Sequence, residues 1–101
     1  MEKSWLFFVR FILKKLAVTY PEGHKYKDII FNWDENWREQ QGPIKFALSF
    51  LHVSELIIWE EPEFPGGDEM IYCSQEGLIA NKMGFSTWLQ IKAKEEEQEE
   101  N

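Results

Sequence analysis

The sequence has a single cysteine, Cys73, so no disulfide can form within the chain, and nothing argues for an oxidising compartment. An isolated thiol with no base or metal ligand beside it in sequence is expected to be a buried, inert core residue. Histidine is scarce as well. His24 and His52 stand in no metal-ligand spacing with each other or with Cys73. There is no Gly-rich phosphate loop, nucleophile elbow or acid–base pair, and the carboxylates of residues 60–69 lack the order of a calcium loop. With no site motif to build on, the chain is read as non-enzymatic, with no cofactor and no metal.

Long apolar runs are also missing. Trp5–Val9 and Phe11–Leu13 are apolar, but Arg10 interrupts them and Lys14-Lys15 close them. A spanning helix needs about 20 mostly apolar residues, and no small-residue cleavage site follows. The expectation is a cytoplasmic protein without a membrane segment or a leader.

Positive charge is in deficit: 11 Lys/Arg stand against 18 Asp/Glu, a net −7. The imbalance is uneven. Residues 1–50 hold eight Lys/Arg and six Asp/Glu (+2), whereas residues 51–101 hold three and twelve (−9). Overall acidity opposes non-specific nucleic-acid binding, and the asymmetry leaves room for a local basic face in the first half.

What the chain has in quantity is aromatic surface: 16% of its 101 residues, with five Trp and eight Phe. Such side chains fill cores and are also enriched at interfaces. The length fits one domain, expected over residues 1–94, with residues 95–101 an acidic tail that frays alone.

Periodicity predicts a first helix over residues 4–18, with Ser4 as N-cap. Trp5, Val9, Ile12 and Leu16 recur at helical spacing, with Leu6, Leu13 and Ala17 beside them. Phe7, Phe11 and Val18 widen the apolar zone beyond an ordinary stripe. Tyr20-Pro21-Glu22-Gly23 ends the helix, and a short helix follows over Tyr26–Phe31. A polar segment to Gln41 carries Trp33 and Trp37 at i, i+4 spacing. Gly42-Pro43 opens a helix over residues 43–53. Leu56–Trp59 and Met70–Cys73 read as strands around a Pro/Gly-rich loop. Ser74 caps a helix over Gln75–Met83 that Gly84 closes, and Thr87 with Gln90 gives capping-box spacing for a last helix.

The segment from Pro43 to Ala80 resembles the winged-helix domains of small bacterial and viral regulators. The likeness lies in an apolar helix (Ile44 to Val53) leading straight into a strand, a Pro/Gly-rich loop in the wing position, and the Tyr72-Cys73-Ser74-Gln75-Glu76-Gly77-Leu78 junction. The resemblance implies an α+β, mostly helical, winged-helix-like fold: three helices, a two-stranded hairpin (the wing), then C-terminal helix. It also implies DNA binding through the third helix and wing. Here the chain departs from the pattern. The third helix offers only Lys45, Ser49 and His52, and the wing carries Glu60, Glu61, Glu63, Asp68 and Glu69, which phosphates repel.

The reading that follows is a regulatory or adaptor domain acting through protein–protein contacts. It is expected to form a homodimer through the first helix, the last helix or both. Candidate interface residues are Phe7, Phe11, Trp33, Trp37 and Trp88. The alternative is a DNA-binding winged-helix transcriptional regulator, with His24, Lys25 and Lys27 at the start of the second helix, and Lys45, as candidate nucleic-acid or anion contacts. A further alternative, resting on charge alone, is an acidic phage-like inhibitor that mimics nucleic acid.

Overall fold

The computed structural model describes residues 4–33 and 39–99. The chain folds as α+β and is mostly helical. Helix α1 spans Trp5–Val18, a two-residue strand β1 spans His24–Lys25, and a π-helical turn spans Asp28–Asn32. Helix α2 spans Gln41–Val53, strands β2 and β3 span Ile57–Glu60 and Met70–Cys73, and helices α3 and α4 span Gln75–Met83 and Phe85–Glu99.

Helix α1 starts where Ser4 stands ready: its hydroxyl accepts the Phe7 N–H, filling one of the donor positions a helix start leaves open. The buried face is Phe8, Val9, Ile12, Leu13 and Leu16. It meets Ile44, Ala47, Leu48 and Leu51 of α2, and α1 also touches α3 and β3. Ile29 and Ile30 of the π-helical turn, with Leu56, Ile57, Ile71, Ala80, Phe85 and Trp88, complete one core. Each large aliphatic side chain held there contributes roughly 1.5–3 kcal/mol by leaving water.

The sheet is antiparallel with strand order β1-β3-β2, three strands rather than a two-stranded hairpin. The added strand pairs His24 with Ile71 and Lys25 with Met70, and the Tyr26 N–H extends the ladder to the Glu69 carbonyl. Two residues are too short to show a strand's alternation, which is why β1 escapes periodicity. Its close approach depends on Gly23, where a Cβ would strike the Tyr72 ring. Strand β2 pairs Ile57 with Cys73 and Trp59 with Ile71, so the inward positions alternate as the pleat requires.

Two element ends differ from the sequence expectation. Strand β2 begins at Ile57 because Leu56 closes α2: its N–H donates to the Leu51 carbonyl and the Glu55 N–H to the His52 carbonyl, the two bonds of a Schellman motif. Helix α4 begins at Phe85, with the Gly84 carbonyl accepting the Trp88 N–H. Thr87 therefore lies inside the first turn rather than at a cap. From Glu95 to Glu99 the acidic segment continues α4.

Candidate interaction surfaces

Phe7 and Phe11 sit one step round α1 from the buried Phe8 and Ile12, so both are half-buried. Their rings stack at 6.3 Å, and Trp33 meets Phe11 edge-on at 6.3 Å. Lys15, four residues after Phe11, lays its ammonium 4.5 Å from the Trp33 ring centroid and 5.7 Å from that of Phe11, within cation–π range. The His24 ring stands perpendicular to Trp33 at 5.2 Å, with Nε2 2.8 Å from Thr19 Oγ1. The Thr19 hydroxyl donates to the Lys15 carbonyl. Beside this cluster Phe11, Lys14, Lys15 and Val18 of α1 border a shallow, open depression of about 410 Å³. Val18 is 74% exposed.

The structure thus joins residues that the sequence assigned to two different surfaces. His24, a candidate anion contact, lies in β1 rather than at a helix start, and it braces Trp33. Lys15 and Thr19 complete the cluster; the i, i+4 relation of Lys15 to Phe11 is the signal that could have found the first. Trp37 lies outside the described residues. Trp88 is only 6% exposed, stacks on Phe85 at 6.0 Å, and donates from its indole N–H to Glu76 Oε1 at 3.0 Å. It docks α4 onto α3 within the chain.

Lys25 and Lys27 converge on one carboxylate, Asp68, at 3.4 and 3.7 Å. Two of the cations proposed for an anion site are therefore shared with an internal acid. Lys45 is exposed in the first turns of α2.

The exposed side of α2 carries Lys45, Phe46, Ser49, His52 and Val53, with Phe46 56% and Val53 82% exposed. Phe46 continues an aromatic row through Trp5 (5.1 Å) and Phe50 to Phe85. The β2–β3 loop presents Phe64, 66% exposed, between Pro62 and Pro65 and among exposed Glu60, Glu61 and Glu63. At its base the Tyr26 hydroxyl is held above its ordinary pKa by burial and, less, by the Glu69 carboxylate.

Cys73 is buried, and loss of solvation pushes its thiol up to about 11; Sγ–H donates to the Ser74 carbonyl. At neutral pH it is a protonated thiol, not a nucleophile. Among the described residues no group of three or more His, Cys, Asp or Glu is placed to hold a metal ion, and no helix is long and apolar enough to cross a membrane. No family model, curated protein or solved structure matches the chain.

Proposed function

We propose that this chain is a winged-helix-like regulatory or adaptor module that works by protein–protein contact and associates with itself, using the aromatic face of α1. The winged-helix reading is supported by α2 packing on α1 and leading straight into β2, with the β2–β3 loop in the wing position. The observation that carries the protein-contact reading is the pile of half-buried rings along α1. Phe7 stacks on Phe11, Trp33 meets Phe11 edge-on, and Lys15 tops the two, beside an exposed Val18. Pre-organised aromatics of this kind lose little entropy on binding and recur as interface anchors. The two surfaces a DNA-binding winged helix would use offer the opposite of what phosphates need. The α2 face holds exposed Phe46 and Val53 with one lysine, and the wing holds carboxylates.

Light scattering across a micromolar concentration series is the test. The expected result is a molar mass rising to that of a dimer, and a return to one chain in Phe7→Ala/Phe11→Ala, with circular dichroism confirming that the variant is folded. A wild-type chain that stays monomeric throughout overturns the self-association reading.

A further inference from the structure

Two surfaces of this chain complement each other in polarity and charge. One is the shallow hollow at the end of α1, open to solvent, with Phe11 and Val18 as its apolar floor and Lys14 and Lys15 beside them. Among the described residues neither lysine meets a carboxylate; Lys15 rests over rings, and Lys14 is exposed. The other is the tip of the β2–β3 loop, Glu61-Pro62-Glu63-Phe64-Pro65. There an exposed phenyl ring projects beside two exposed carboxylates that form no ion pair among the described residues. The prolines restrict the loop backbone, so the ring is presented at little entropic cost. A shallow apolar hollow edged by two cations without a carboxylate partner among the described residues suits an aromatic knob edged by two carboxylates without a cationic one. The chain carries both, and its halves differ in charge in the same sense, +2 against −9.

We infer that the occupant of the α1 hollow is the β2–β3 loop of a second copy of this chain, with Phe64 seated against Phe11 and Val18, and Glu61 and Glu63 facing Lys14 and Lys15. The inference rests on the self-association proposed above and names the segment that fills it. A two-fold pair makes the contact twice, loop to hollow and hollow to loop, because a two-fold axis repeats every contact in reverse. Doubling brings a small patch closer to the roughly 1,200 Å² that stable interfaces bury. The steering charges stand at the rim of each contact, where complementarity sets register and suppresses wrong partners.

Charge exchange tests this directly. Glu61→Lys/Glu63→Lys gives a chain with a basic loop and a basic hollow; Lys14→Glu/Lys15→Glu gives one with an acidic loop and an acidic hollow. Each alone is expected to run as a monomer by light scattering at a concentration where wild type is dimeric. An equimolar mixture is expected to return to the dimer mass, since both cross-pairings are then complementary. Phe64→Ser is expected to be monomeric as well, and Lys14→Glu alone serves if the double change on α1 lowers the melting temperature. A dimer that persists in Glu61→Lys/Glu63→Lys or in Phe64→Ser overturns this inference and leaves self-association standing through another surface. Monomeric swaps that do not recombine on mixing also overturn it. A monomeric wild type overturns both readings.

Discussion

At Gly77 a methyl group would run into the Leu56 carbonyl and lie 2.9 Å from Cys73 Sγ. The contact follows from how α3 begins. The Ser74 hydroxyl accepts the Gly77 N–H at 2.9 Å and donates to the Glu55 carbonyl at 2.7 Å, while the Ser74 N–H donates to the Leu56 carbonyl. These bonds press the first turn of α3 against the end of α2, and only a residue without Cβ fits between them. Forcing extra volume into packed surroundings costs about 1–3 kcal/mol, more than the roughly 1 kcal/mol that alanine gains over glycine in a helix. With up to about 2 kcal/mol left after that gain, Gly77→Ala is expected to lower the melting temperature, by up to about 8–16 °C at roughly 4–8 °C per kcal/mol for a domain of this size. Gly42, in the first turn of α2 with nothing within 4 Å of an added Cβ, is the control. Gly42→Ala should leave the thermal midpoint level or slightly raised.

Helix ends are where this chain's stability is most open to adjustment. Glu55 holds a φ of 64° at the close of α2, a left-handed conformation costing an ordinary residue about 1–2 kcal/mol and glycine little. Its own contacts there are main-chain, so they survive substitution. Glu55→Gly should gain about 0.5–1 kcal/mol after the greater freedom of glycine in the unfolded chain is counted against it. Urea titration with an unchanged m-value would check this, and a lower midpoint would show that the Glu55 side chain makes an unrecognised contact. The α3–α4 junction is expected to respond to acid. Glu76 accepts from the Trp88 indole and from Lys92, and these hydrogen bonds, the first the larger, hold its carboxyl below the ordinary carboxylate pKa. A pKa depressed by folding means stability present above the unfolded value and lost as pH falls through the folded one. Trp88 fluorescence should thus report weaker α4 docking in acid, and Glu76→Gln should flatten that dependence.

The same ends show how far the sequence could be read. Ser4, Ser74, the Met70–Cys73 strand and the Gln75–Met83 helix were legible because capping chemistry and periodicity act within a few residues. Strand β1, the Schellman turn at Glu55 and the start of α4 at Phe85 were not, since Gly23 against Tyr72 and Leu56 over Leu51 are tertiary facts. For the candidate surface, the width of the α1 apolar zone pointed to Phe7 and Phe11. Nothing local could reveal that Asp68 binds Lys25 and Lys27, or that Trp88 turns inward to Glu76.

At the scale of the whole molecule, the chain exposes 7059 Å², against about 6,000 Å² for a monomer of its 12.1 kDa. Its exposed large apolar side chains include Val18 at the end of α1, Phe46 and Val53 on α2, and Phe64 in the β2–β3 loop. A surface meant for DNA would present free cations. Here the net charge is −7, and Asp68 occupies two of the four basic candidates. If DNA were the ligand, Lys25, Lys27 and Lys45 would have to neutralise its phosphates. Binding would then fall steeply with salt through counterion release, and Lys25→Glu/Lys27→Glu would abolish it. The expected outcome of a gel-shift titration against mixed genomic fragments, at low and at moderate salt, is no specific shift. A salt-sensitive shift lost in the double variant would reverse the assignment and make the basic edge beside β1 the functional surface.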